Sequence, residues 1–303
     1  MLRKKVGLAL SGGGLRGGAH IGVLKTLGKH QIPIDFIAGT SAGSIVSSLY
    51  ALGFSAARIE REALRLKKED VLDDMLNLPN LFIMGLSVIL DYLRWPKEKL
   101  PKPPLGLYKG QRLFDFFRHL SDEKTVDETR LPIIICSADL YTGRLVLFTP
   151  KKTAYLVIEQ VPDAIYLWDV PMALAVRAST SIPGVFEPLP HYDLLLADGA
   201  IRNNLPADLL RYAGAEVVIA VDLNVPIMKS PRPDNVVEIL LQSVDIMAHG
   251  LTDLTTLQYA DVIVRPDISA VPLTELEELP EFIARGEEAA EKVIPDIKKL
   301  LRA

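Results

Sequence analysis

The sequence predicts an α/β fold built on a largely parallel sheet. Apolar runs at Val6–Leu10 and Phe36–Ala38 read as strands, and helix-like stretches at Ala19–His30 and Ala42–Leu52 follow them in turn. That alternation is the pattern of a parallel sheet with crossover helices. Glycine-rich turns join each strand to its helix, "SGGGLRGG" at 11–18 and "GTSAGS" at 39–44.

The remaining elements follow in order. Residues 55–120 have a different, helix-rich character, opening on "SAARIEREALRLKKED" with Ser55 placed to cap the helix. Between Arg94 and Arg112 lie six Lys/Arg, one Glu and four prolines, so this stretch reads as an extended linker rather than a helix. Strand signals resume at Ile133–Ala138 and Leu145–Thr149. Ala173–Ala178 reads as a helix, Leu194–Ala197 as a strand, Pro206–Tyr212 as a helix and Val217–Val221 as a buried strand. Val236–Tyr259 suits a long helix and Val262–Val264 a last strand. In the tail, Pro280–Leu301, the residues Phe282, Ala289, Val293, Ile297 and Leu300 fall on one helical stripe. No repeat or linker demands a second domain, so residues 1–303 are expected to form one domain with an insertion at about 55–120.

Composition narrows the function. The 303 residues are 49% hydrophobic and carry a net charge of −4, enough for a large core and no basic field for nucleic acid. The single cysteine, Cys136, lies in the apolar run "PIIIC" and reads as a buried structural thiol. Only Val6–Leu10 separates the basic "MLRKK" from the glycines, too short for a signal-peptide core. The charge-free run Met75–Leu90 has 16 residues and is broken by Asn77, Pro79 and Asn80, which makes a poor membrane span. A cytoplasmic protein is the default expectation.

Gly12, Gly14 and Gly17 fit the G-x-G-x-x-G spacing of a dinucleotide loop. That reading also needs an acid at the end of the second strand, to reach a ribose. The nearby acid, Asp35, stands at the other end of that run. The second strand leads instead into "GTSAG" at 39–43, a G-x-S-x-G. A serine on such a strand-to-helix turn projects its hydroxyl at a helix N-terminus, and Gly39 and Gly43 allow the tight turn. Ser41 is therefore a candidate nucleophile. An ordinary capped βα turn is the plainer alternative.

A nucleophilic serine needs a base. Five histidines are available: His20, His30, His119, His191 and His249. Only His249 follows Asp198 in the Ser–Asp–His order, and it reads as a helix-interior residue. Asp198, at the end of the strand-like "LLLAD", is the better partner if it sits where the carboxyl ends of parallel strands gather. A simple Asp-Gly turn is the alternative there.

Taken together, "GGGLRGGAHIGVL" at 12–24, "GTSAGS" at 39–44, "ASTSIPGVFEPL" at 178–189 and "DGA" at 198–200 resemble the patatin-like phospholipase family, in particular its single-domain bacterial members. The resemblance covers about residues 6–222, with 55–130 matched loosely. It implies a three-layer α/β/α fold with a mostly parallel central sheet and a helical insertion. It also implies a serine acyl hydrolase with a Ser–Asp dyad: Ser41 as nucleophile, Asp198 as general base and no catalytic histidine. Gly12, Gly13 and Gly14 would supply oxyanion N–H groups, with Arg16 beside them, and Gly199 the turn after the base. Neither a cofactor nor a metal is implied. Some members carry Asp before the three glycines; here Ser11 stands there, which raises the question of what orients the loop.

Asp is a weak base at its ordinary pKa of about 3.9, so a desolvated site that raises it is expected. The substrate would be a lipid or other acyl ester. The stretch 75–95 and the basic run to 112 suit a lid or a transient membrane contact. A helical insertion packed on the core, followed by a solvated loop, weighs slightly more. The competing functions are a His249 triad esterase, a nucleotide-dependent oxidoreductase and a non-catalytic lipid-binding module.

Overall fold

A computed structural model describes residues 3–73, 104–224, 236–268 and 276–302. Strands β1 (Val6–Leu10), β2 (Phe36–Thr40) and β10 (Val217–Val221) are buried along their whole length. Strands buried on both faces are apolar runs rather than alternating ones, as a central parallel sheet requires. The sheet order is β11 (Val262–Val264), β10, β1, β2, β4 (Ile133–Asp139), β5 (Leu145–Phe148), β6 (Ile165–Leu167). The pairs from β11 through to β4 are all parallel; β5 runs antiparallel to β4.

Helices cover both faces. On one, Val6, Leu8 and Leu10 of β1 and Ile133 and Ile135 of β4 pack with α1 (Gly18–Lys29), α2 (Ala42–Ala51) and α3 (Ala56–Arg65). α5 (Gln111–Leu120), α7 (Met172–Ser179) and α10 (Leu279–Arg302) complete that layer, after the short α4 (Lys68–Val71). On the other face, Ala9, Ala38, Ile134 and Cys136 meet α6 (Lys151–Val157) and α8 (Ala207–Tyr212). This is the expected three-layer α/β/α arrangement. The Ser55 hydroxyl accepts from the Arg58 N–H at 3.2 Å and caps α3 as the sequence suggests. The tail helix buries Phe282, Ala289 and Ile297, its expected stripe, against α1. A long helix, α9 (Val236–Tyr259), precedes β11 with the anticipated bounds.

Within the stretch expected to be a linker, β3 (Gly106–Tyr108) pairs with β7 (Gly184–Phe186), and α5 begins at Gln111. Of the three phenylalanines on α5, Phe117 is core and Phe114 packs against it. Phe116 lines a separate apolar cavity of about 130 Å³. The candidate lid at 75–95 and most of the proposed 75–112 contact lie outside the described residues. Among the described residues, no helix is long and apolar enough to cross a membrane.

One strand corrects the sequence reading. β9 (Leu194–Asp198) is not parallel to its neighbour: it runs antiparallel to β4 and forms a hairpin with β8 (Leu189–His191). β2 pairs with β4 only as far as Thr40 opposite Cys136. β9 takes up the pairing from the next residue, Ser137 opposite Asp198. The two strands thus meet end to end alongside β4, with opposed directions. The last residue of each, and the turn that follows it, are brought together.

Candidate active site

The turn after β2 is strained where chemistry would want it. Ser41 has φ 52 and ψ −122, a region that non-glycine residues avoid without a compensating cause. Its neighbours permit this. A Cβ on Gly43 would stand 2.2 Å from the Leu10 carbonyl oxygen, and one on Gly39 would stand 2.4 Å from that of Gly43. Three hydrogen bonds hold the turn. The Ser41 N–H donates to Ser179 Oγ at 2.9 Å, Ser179 Oγ donates to the Cys136 carbonyl at 2.6 Å, and Ser44 Oγ donates to the Ser41 carbonyl at 2.6 Å. The "ASTSIPG" segment therefore ties the serine turn to β4. It also positions the acid, because the Asp198 N–H donates to the Ser181 carbonyl at 2.9 Å.

The Asp198 side chain is buried and lines the same cavity as Ser41, whose hydroxyl favours its charged form. Its Oδ1 accepts from the Ala200 N–H at 2.9 Å, across a Gly199 whose Cβ would stand 2.4 Å from the Cys136 carbonyl oxygen. Burial pushes the carboxyl up to about 7, against the opposing pull of the Ala200 N–H and the Ser41 hydroxyl, and Asp245 adds like-charge repulsion. At neutral pH a carboxylate in this state is both populated and basic enough to take a proton. Cys136 is fully buried and its thiol is pushed up by desolvation, which makes it an inert packing residue.

The glycine loop lies across from Ser41, and the structure shows what orients it. Ser11 Oγ accepts from the Leu223 N–H at 3.0 Å, and His20 Nε2–H donates to the Ser11 carbonyl at 2.8 Å. His20 is buried and held neutral, its pKa lowered to about 4 by desolvation. Asn204 makes the third tie. The Gly12 N–H donates both to its backbone oxygen at 3.2 Å and to its Oδ1 at 3.1 Å. Gly12 is thus an anchor rather than a free donor, which revises the expectation that all three glycines would present N–H groups. No other described residue accepts a hydrogen bond from the Gly13 or Gly14 N–H.

A cavity of about 330 Å³ joins these parts. It is lined by Gly12–Arg16, Ser41, Asp198 and Asn204, with Ile182, Ala200 and Asn224. The roof comes from α9, through Val244, Asp245 and Ala248. Two charges face each other there. Arg16 is partly desolvated, which lowers its pKa, and Asp245 is raised by desolvation and pulled back by Arg16 and His249. His249 does not line the cavity and acts on Asp245 from the next turn of α9. Sequence reasoning found Ser41, Asp198, the glycines and Arg16 here but missed Asn204 and Asp245. "RNNLP" after "DGA" was the only available hint of Asn204, and Asp245 sits in an unremarkable helix.

Comparison with known proteins gives a consistent family signal. A family model described as Patatin-like phospholipase matches residues 8–211. Human patatin-like phospholipase domain-containing protein 6 is 30% identical over 220 residues, covering 72% of this chain and 13% of its own length. An uncharacterized NTE family protein of Mycobacterium tuberculosis is 27% identical and covers 99% of this chain and 48% of its own length. The chain thus spans half or less of these relatives. Among solved structures, human GIVD cytosolic phospholipase A2 superposes with a TM-score of 0.50 at 12% identity, covering 99% of this chain and 60% of that one, a likeness of fold.

Proposed function

The chain belongs to the patatin-like phospholipase family, and from that premise we propose that it is a serine acyl hydrolase that cleaves lipid esters through a Ser41–Asp198 dyad. The observation that carries this reading is the strained Ser41, sharing a cavity with a buried carboxylate whose pKa stands at about 7. In the first step Asp198 takes the hydroxyl proton as Ser41 Oγ bonds to the ester carbonyl carbon. The negative charge that develops on the carbonyl oxygen is met by the N–H groups of Gly13 and Gly14. Collapse breaks the bond to the alcohol, which leaves with the proton from Asp198. Water, deprotonated by the same carboxylate, then attacks the acyl-serine and frees the fatty acid and Ser41.

The remaining residues support this chemistry indirectly. Asn204, Ser11 and His20 hold the loop so that its donors are preorganised, the condition under which such donors contribute most. Arg16 and Asp245 give the cavity its charge. The His249 triad is not favoured, because the Asp198 carboxylate is engaged by the Ser41 hydroxyl itself and His249 acts on Asp245. Labelling with a fluorophosphonate tests the reading: a single adduct is expected on Ser41. Folded protein that takes no label there would end the hydrolase assignment.

A further inference from the structure

The strands that build the dyad do not stop at it. β4 runs on to Asp139 and turns through 140–143 into β5, while β9 is entered from β8 through the two-residue turn Tyr192–Asp193. The Leu140 N–H donates to the Leu195 carbonyl at 2.8 Å, so the two turns lie side by side. Both project from the end of the sheet that bears Ser41. From Asp198 to Tyr192 is six residues of strand, at most about 20 Å.

These turns display apolar side chains that nothing in the described structure covers. Leu140 is 45% exposed, Tyr141 70% and Tyr192 92%. Tyr192 is also held at φ 50, in a kind of turn that favours Gly, Asn or Asp. The neighbouring turn obeys that rule, using Gly143 at φ 70. An aromatic residue that violates local turn chemistry while 92% exposed points to a function outside the fold.

The display is rigid. Asp139, only 1% exposed, accepts from the Tyr141 N–H at 3.3 Å and the Leu195 N–H at 3.0 Å through Oδ1. Its Oδ2 accepts from the Thr142 N–H at 3.0 Å and Thr142 Oγ1 at 2.6 Å. One buried carboxylate thus ties the 140–143 turn to the start of β9, so little ordering entropy remains for that turn to lose on binding.

We propose that Leu140, Tyr141 and Tyr192 form a preset prong that enters a lipid interface and sets the catalytic cavity against it. The proposal rests on reading that cavity as a lipid acyl hydrolase site. Tyrosine suits an interface because its ring is apolar and its hydroxyl stays wet. Charge does not drive the contact. Arg144 is engaged with the Asp163 carbonyl, Asp193 is acidic, and burial lowers the pKa of His191, which packs edge-on to Tyr192 at 4.6 Å. The contact should therefore be insensitive to salt and need no anionic lipid.

The test is sedimentation of the full chain with phosphatidylcholine vesicles, alongside hydrolysis of p-nitrophenyl butyrate, a soluble ester that needs no interface. Tyr141→Ser combined with Tyr192→Gly keeps the turn chemistry, and Tyr141→Glu with Tyr192→Glu adds charge. Both pairs should lose vesicle binding by about tenfold or more while turning over the soluble ester at the wild-type rate. Wild-type binding should persist at about 0.5 M NaCl. Unchanged vesicle binding in both double variants would overturn the prong. So would wild-type protein that ignores phosphatidylcholine vesicles, or binds only phosphatidylglycerol vesicles at low salt. Failure of the hydrolase reading looks different: vesicle binding without turnover of the soluble ester.

Discussion

Asp198 stands opposite Ser137 in the sheet, one residue beyond Cys136, the partner of Thr40. That register is why a strand ending 157 positions after Ser41 delivers its carboxylate to the cavity that Ser41 lines. β2 and β9 share one side of β4, each filling the length the other leaves. The positions of Ser41 and Asp198 are thus fixed by backbone pairing on a central strand.

The register makes the roles of the two residues separable by substitution. Ser41→Ala should abolish hydrolysis of a short p-nitrophenyl ester. Asp198→Asn should cut kcat by about 10²–10⁴, the usual worth of a positioned base. His249→Ala should retain most of the activity. Loss of activity in folded His249→Ala protein would replace the dyad with a triad.

The pH profile carries a second expectation. Asp198 must be ionised to act as base, and its pKa stands at about 7, so kcat/KM should rise with pH through a midpoint near 7. Asp245 contributes to that elevation by like-charge repulsion. Asp245→Asn should therefore move the midpoint to lower pH. A midpoint that stays fixed would show that the two carboxylates are not coupled.

How much of this was legible in the sequence depended on distance along the chain. The Ser41 turn was legible because strand, turn and helix lie within about 15 consecutive residues, and because each glycine there meets a close neighbour. Asp198 was identifiable from its motif, but its antiparallel approach was not, since that depends on pairing with a strand some 60 residues earlier. β3, β6, β7 and β8 have three residues each, too short to show a period. Asn204 reaches Gly12 across 192 positions, and "RNNLP" by itself does not say where its amide binds.

Asn204 gives the third expectation. Its Oδ1 and backbone carbonyl both hold the Gly12 N–H, and its Nδ2 donates to Thr252 Oγ1 at 3.3 Å. Asn204→Ala removes one of the two acceptors of the Gly12 N–H and leaves the Thr252 contact unmade. Because the loss is felt where oxyanion charge develops, kcat should fall by about 10–100-fold, less than deletion of a donor itself, with KM little changed. A change confined to KM would assign Asn204 to substrate binding instead.

The last expectation sets stability against activity. An acid whose folded pKa is raised holds its proton more tightly when folded than when unfolded. Its contribution is therefore fully present below the unfolded value of 3.8, and is lost as pH rises to about 7. Above that pH the native state carries a buried ionised carboxylate that the Ser41 hydroxyl and the Ala200 N–H only partly compensate. Asp198→Asn removes the ionisation but keeps the shape. The stability of the variant relative to wild type should accordingly climb by up to about 1.4 kcal/mol per pH unit across this window, and level off above it. Thermal melts of the two proteins from pH 5 to 8 measure the gap directly. A gap that is flat with pH would mean that Asp198 is not raised, and the dyad would then lack the basicity that its chemistry requires.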